Sequence, residues 1–172
     1  FQTLCDVVAA PYFQNFEGFT PTTAFVEDAC FTTNASGTFS WDVSGTGTTG
    51  STGTGPLSAQ SGTNFMFTEA SSGAAGQTAE LIMPTIDLSP LTAPSVQFWY
   101  HMFGNQIGTL DIQVDDQLGG GFVSVGSIGP GAQQTAQADP WLLQITNLSA
   151  YAGQTVVIKF VATSNGTFEG DI

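Results

Sequence analysis

The sequence is nearly without positive charge. One lysine and no arginine stand against 14 acidic residues, for a net charge of −13 over 172 residues. Such a surface repels phosphate, because nucleic-acid binding depends on Lys and Arg displacing condensed counterions. Nucleic acid is therefore excluded as a partner. Histidine is as scarce, with His101 alone in the chain. A blue-copper centre needs two histidines and a cysteine, and catalytic zinc draws on several histidines, so neither is expected. No apolar run approaches the roughly 20 residues of a membrane-spanning helix, and no membrane insertion is expected. The N-terminal stretch FQTLCDVVAAPYFQ lacks the basic start and continuous apolar core of a signal peptide.

What is present points to strands. Hydrophobic residues make up 41% of the chain, enough to build the core of one ordinary domain. Lys, Arg and Glu, the usual helix formers, are few, while Thr, Gly, Ser, Val and Phe abound. That balance reads as β-strands joined by turns. The polarity comes from hydroxyls and amides, which suits an extracellular, secreted protein. Short alternating segments recur. SVQFWYHMF sets Val96, Phe98, Tyr100 and Met102 against Gln97, Trp99, His101 and Phe103. TLDIQV turns Leu110, Ile112 and Val114 inward. WLLQIT and QTVVIKFVAT repeat the pattern, with Trp141, Leu143 and Ile145 expected inward in the first and Val156, Ile158 and Phe160 in the second. FSWDV, NFMFTEA and TAELIMP are further short strands. Period-2 alternation between turns is the mark of an all-β sandwich or barrel. Residues 1–10 read as an irregular leader and residues 44–62 as a Gly/Thr/Ser-rich loop.

Gly45–Gly50 forms a formal GxGxxG, but another Gly-rich segment follows it where a nucleotide site needs a helix. His101 shares its face with Gln97, Trp99 and Phe103, and no GxSxG elbow exists for it to serve. It reads as an imidazole packed among aromatics. Asp111 and Asp115 share a strand face at a spacing of about 13 Å. A glycosidase pair needs roughly 5–9.5 Å, and Gln113 stands between them, while Asp116 points the other way. Calcium is the ion an acidic, His-poor sandwich binds best, through carboxylate and carbonyl oxygens in loops. Glu17, Glu27, Asp28, Asp42, Glu169 and Asp171 are the candidate ligands, although no EF-hand-type loop occurs. Cys5 and Cys30 either form a disulfide closing a 25-residue loop or are two buried thiols; their spacing fits neither a metal site nor a redox pair. Asn34, Asn147 and Asn165 each head an Asn-x-Ser/Thr sequon.

The segments then add up. PYFQNFEGF (11–19), Cys30, FSWDV, GTGP (53–56), NFMFTEASSGAAGQTAELIMPTIDLS, FWYHMFGNQIGTLDIQV and PWLLQITNLSAYAGQTVVIKFVATSNGTFEGDI follow one another as in a MAM domain. The chain resembles that family over about nine-tenths of its length, most specifically in FWYHMFG…GTL and G…FEGDI, and most closely its bacterial secreted versions. The resemblance implies a jelly-roll sandwich of two antiparallel sheets and a non-catalytic module of adhesion or recognition. It also implies a structural calcium or sodium ion near the N-terminal strand, with Glu17 at the family's acidic position and Thr38 and Asp171 contributing. The family's acids before F-x-W are replaced here by Gly37 and Thr38, and its DHT after GP by Leu57–Gln60. Cys30 matches a family cysteine, and Cys5 precedes its usual partner's position, which implies a shifted bridge. The family's last strand runs beyond GDI, so the chain is expected to be one part of a longer protein, with an open sheet edge. Three functions follow: a module contacting other extracellular proteins or its own copies; a carbohydrate-binding module of a secreted degradative enzyme, with Trp99, Phe103 and Tyr151 as stacking platforms; and, most remotely, an enzyme.

Overall fold

A computed structural model of the chain describes residues 5–22, 30–71 and 73–172. Among the described residues there are eleven strands: β1 (Val8–Ala9), β2 (Thr32–Ala35), β3 (Trp41–Ser44), β4 (Phe65–Thr68), β5 (Thr78–Ile82), β6 (Ile86–Asp87), β7 (Ser95–Tyr100), β8 (Thr109–Asp115), β9 (Val123–Ile128), β10 (Leu142–Asn147) and β11 (Thr155–Thr163). Among the described residues the only helical element is a 3-10 turn at Ser149–Tyr151. The chain is a β-sandwich, as the alternation predicts.

The larger layer has seven strands and is organised by β11. One edge of β11 runs antiparallel to β8 over Val157–Thr163, and β9 continues the sheet beyond β8. The other edge pairs with β5 over Lys159–Thr163 and with β6 over Thr155–Val156. Strand β2 lies outside β5, and β1 lies outside β6. The β1–β6 pair is parallel, so the expectation of purely antiparallel sheets is corrected: this layer is mixed. Part of the expected leader is thereby built into the sheet. Val8 donates its amide to the Thr85 carbonyl and Ala10 to that of Asp87, each at 2.9 Å.

The opposing layer consists of two separate ribbons, β3–β4 and β7–β10. Apolar residues fill the space between the layers. Leu110, Ile112 and Val114 on β8 and Val156 and Ile158 on β11 are all buried, with Phe160 packed beside them. Phe160 meets Phe98 of β7 edge-on at 4.9 Å and so joins the layers. Trp41 is anchored across the core by an indole N–H donated to the Ala79 carbonyl at 3.1 Å.

Strand β10 departs from expectation. Leu143 and Ile145 face solvent at 44% and 57% exposure, while Gln144 and Thr146 turn inward. The reason lies two residues past Thr146. Leu148 is 1% exposed and its amide donates to the Pro94 carbonyl at 2.9 Å. With a period of two, burying Leu148 turns Thr146 and Gln144 inward and Leu143 and Ile145 outward.

Cys5 and Cys30 form a disulfide with their Cα atoms 5.5 Å apart. It ties the segment leading into β1 to the segment leading into β2. Replacing both cysteines by alanine should lower stability by about 3–4 kcal/mol, the loop-closure entropy of a 25-residue ring. A urea midpoint unchanged in the double variant would contradict that assignment.

Candidate functional site

Two places outside the regular strands concentrate unusual groups, and both are built from the Gly/Thr/Ser-rich segment between β3 and β4. The first surrounds Asp171, which is 0% exposed. Its Oδ1 accepts the Ala70 amide at 2.9 Å, and its own amide donates to the Thr54 hydroxyl at 3.0 Å. Its Oδ2 has no well-formed hydrogen bond, and neither does the buried Thr49 Oγ1. Burial pushes the Asp171 carboxyl up to about 6; the nearby Thr49 hydroxyl, the Ala70 amide and the Ser51 hydroxyl oppose this, and the Glu69 carboxylate adds to it. Gly104 makes the arrangement possible. A Cβ there would stand 2.1 Å from the Glu169 carbonyl and 2.8 Å from Thr54 Oγ1, and its φ is +153°. Only glycine lets the chain after β7 approach the C-terminal segment so closely.

The structure does not gather the expected ion ligands at one place. Glu17 accepts the Thr63 amide and hydroxyl at 2.9 Å each and the Asn64 amide at 2.8 Å. Those bonds hold its carboxyl below the usual range, the Asn64 amide first. Glu17 therefore fastens the loop entering β4, whereas Asp171 fastens the chain leaving it. Thr38 is exposed in the turn between β2 and β3. Asp42 is buried on β3, with the Ser40 hydroxyl 3.4 Å from its Oδ1. Glu169 accepts from Asn105 at 3.0 Å. Glu27 and Asp28 lie outside the described residues. Among the described residues no group of three or more His, Cys, Asp or Glu side chains is placed to hold a metal ion.

The second place is a cleft of about 410 Å³ between residues 56–60 and 137–141, with Trp99 of β7 on its wall. Its two sides are stitched together. Leu57 donates its amide to the Gln137 carbonyl at 3.2 Å, Trp141 its indole N–H to the Ser58 carbonyl at 2.9 Å, and Gln137 its side-chain amide to the Thr54 carbonyl at 2.5 Å. Asp139 is fixed by the Thr135 amide, the Thr135 hydroxyl and the Ala136 amide, all reaching its Oδ2 at 2.7–2.8 Å. These bonds keep its carboxyl low, the Thr135 hydroxyl first.

His101 lies behind this cleft. It is 2% exposed, its ring meets that of Trp141 at 5.8 Å, and neither ring nitrogen makes a well-formed hydrogen bond. Burial lowers its pKa, against the smaller pull of the nearby Asp139 and Gln137. It packs edge-on against Trp141, an aromatic from the loop before β10. Of the three expected platforms, Trp99 alone is strongly exposed, at 47%. Phe103 is half-buried, with its carbonyl accepting from Gly55, and Tyr151 packs against the core beneath the 3-10 turn. Asp111 accepts from Gln113 at 2.7 Å and Ser124 at 2.6 Å, and Asp115 and Asp116 accept from the turn after β8. Thr49, Ser58, Asp139 and Trp141 were missed as site residues. Asp139-Pro140-Trp141 was the one legible hint, an acid and an aromatic at a chain turn.

These features define a β-sandwich whose distinctive groups cluster in loops. Similar proteins agree. The MAM domain family (meprin/A5/mu) matches residues 23–172, and the chain belongs to it. Neuropilin-1 of Rattus norvegicus is 35% identical over 65 residues, covering 37% of this chain and 7% of that protein. Neuropilin-1 of Gallus gallus is 39% identical over 62 residues, covering 36% and 7%. The shared segment is thus a small part of those relatives. Among solved structures, the K1 cleaved adhesin domain of Lys-gingipain from Porphyromonas gingivalis W83 superposes with a TM-score of 0.51 at 14% identity. The match covers 80% of this chain and 86% of that one, and it supports the fold.

His101 and Asp171, both buried, give opposite pH slopes. An unfolded histidine takes up a proton below about pH 6.5, which buried His101 resists, so its contribution to stability is lost as pH falls below that value. Asp171 ionises in the unfolded chain from about pH 3.8 but in the fold only near 6, so its contribution is lost as pH rises between those values. The difference is about 3 kcal/mol at most. In EDTA, Asp171→Asn should steepen the loss of stability on acidification from pH 6 to 4, and His101→Phe should lessen it. Parallel stability profiles for both variants and the parent would contradict this reading.

Proposed function

We propose that the chain is a non-catalytic, extracellular recognition module of a larger secreted or cell-surface protein, of the kind found in bacteria, and that it works by contact with another protein. The observation that carries this reading is the outer face of the β7–β10 ribbon. Trp99 stands directly opposite Leu143, and Gln97 opposite Ile145. Trp99, Leu143 and Ile145 are each 44–57% exposed on that one face. Large apolar groups concentrated on one exposed face mark an interaction surface more often than chance, with aromatics the usual anchors. Family membership supports the same reading, and so does the adhesin-domain name of the structural neighbour. The net charge of −13 favours a neutral or basic partner over a second copy of this chain.

An ion would stiffen the module at Asp171. Asp171 Oδ2 and Thr49 Oγ1, neither in a well-formed hydrogen bond, with Ser51 and Glu69 alongside, are hard oxygen donors of the kind calcium or sodium takes. A bound cation would remove the cost of ionising Asp171 and hold the β3–β4 loop against the C-terminal segment.

Two experiments test these statements. Beads coated with the chain should adhere to cell monolayers, and Ile145→Asp should abolish adhesion while leaving the melting curve unchanged, as exposed substitutions do. Equal adhesion by parent and variant, or none by either, would sink the contact surface. Thermal melts should show a calcium-specific rise over EDTA, about 2.7 kcal/mol at a hundredfold excess over Kd. That rise should vanish in Asp171→Asn and persist in Glu17→Ala. Its absence in the parent would remove the ion.

A further inference from the structure

The cleft beside the recognition face has a chemistry of its own. Its lining is amphipathic. Trp99 and Trp141 supply flat apolar surface, while Ser58, Gln60 and Asp139 supply hydroxyl, amide and carboxylate groups. Its volume of about 410 Å³ falls within the roughly 300–1,000 Å³ of small-molecule sites. It is also rigid. Trp99 sits on a strand, and Trp141 is fixed by its bond to the Ser58 carbonyl and by edge contacts with Phe65 at 5.4 Å and His101 at 5.8 Å. The three bonds that pin the cleft walls use the Ser58 carbonyl and neither its Oγ nor the Gln60 side-chain amide, and Asp139 uses Oδ2 for all three of its loop bonds. A ligand matched to this cleft needs an apolar face for an indole and hydrogen-bonding groups around its rim.

We propose that the Trp99–Trp141 cleft binds a neutral pyranose ring of a glycan, the axial C–H face stacked on Trp99 and ring hydroxyls reaching Ser58, Gln60 and the unused Oδ1 of Asp139. A pyranose has both faces of this requirement in one rigid group. Charge selects the neutral members of the class. The cleft holds a carboxylate kept ionised and no cation, and the chain as a whole carries −13, so uronates, sialates and sulfated sugars are repelled. A cationic side chain suits it less well, because Asp139 has one oxygen left and the rest of the polar rim is neutral. This assignment rests on the reading of the β7–β10 side as the recognition face and names a second class of ligand there.

The test is affinity electrophoresis of the full chain in gels containing a β-glucan, a xylan, a mannan or polygalacturonate, with tryptophan fluorescence as the second readout. Of the three tryptophans, Trp41 is 5% exposed, so a ligand-induced change reports Trp99 and Trp141. Retention by at least one neutral polysaccharide is expected, with a fluorescence change on adding its oligosaccharide and none with choline or arginine. Trp99→Ala should weaken retention roughly tenfold. The Ser58→Ala/Gln60→Ala double variant, altered only in exposed loop residues, should weaken it too. Ile145→Asp should retain the polysaccharide while losing bead adhesion, which separates failure of the cleft from failure of the protein-contact surface. No retention by any neutral polymer, retention of polygalacturonate alone, a response to choline or arginine instead, or retention indifferent to Trp99 would each overturn the assignment.

Discussion

Strand β11 is the element on which the rest of the structure depends. Its backbone is paired along both edges, to β8 on one side and to β5 and β6 on the other. Its inner face carries Val156, Ile158, Phe160 and Ala162 into both halves of the core. Its outer face carries Lys159, the sole lysine of the chain. That ammonium lies 2.6 Å from Glu80 Oε1 and 4.3 Å above the Phe122 ring, while Glu80 also accepts from Asn34 on β2. A chain so short of cations has placed its only one where three neighbouring strands meet. The pairing holds the Glu80 carboxyl low although burial pushes it the other way. The sheet is therefore cross-linked by side chains as well as by its ladder.

With one layer fixed in this way, the other is free to present chemistry. The β3–β4 and β7–β10 ribbons are not continuous with one another. The loop between β3 and β4 supplies groups to both candidate sites: Thr49, Ser51 and Thr54 at Asp171, and Ser58 and Gln60 at the cleft. Its glycines at positive φ, such as Gly55 at +61°, let it double back without strain. A segment that reads as featureless spacer is thus where the distinctive side chains of the domain converge.

The strands of the sheet were legible in the sequence wherever one face was apolar and the other polar. TLDIQV has a single solution, and Leu110, Ile112 and Val114 take it. WLLQITN has apolar residues on both faces, so alternation could not choose between them; the choice is made by Leu148 and its bond to Pro94, outside the strand. The parallel β1–β6 ladder was invisible for a similar reason, because two-residue strands carry no periodicity. His101 does pack against an aromatic, but the ring is that of Trp141 on a distant loop rather than a neighbour on its own face. Asp171 could be named as a candidate but its state could not be foreseen, since its burial depends on Thr54, 117 residues earlier in the chain. Trp99 could be named as a candidate platform, although a buried core aromatic was the more expected reading for it, whereas its companions Asp139 and Trp141 reach it only through the folding of the loop before β10. Local pattern fixes strands; sites assembled from loops need the fold.

The central claim is that the Trp99–Leu143–Ile145 face is open and available to a partner while the β8–β11 side of the sandwich is closed. Hydroxyl-radical footprinting of the intact chain at dilute concentration tests it most directly. Trp99, Leu143 and Ile145 should label at rates expected of exposed side chains, with Leu110, Ile112 and Met102 protected. Protection of Trp99 and Ile145 to the level of Ile112 would contradict the account, because the face would then be covered within the chain itself or by another copy.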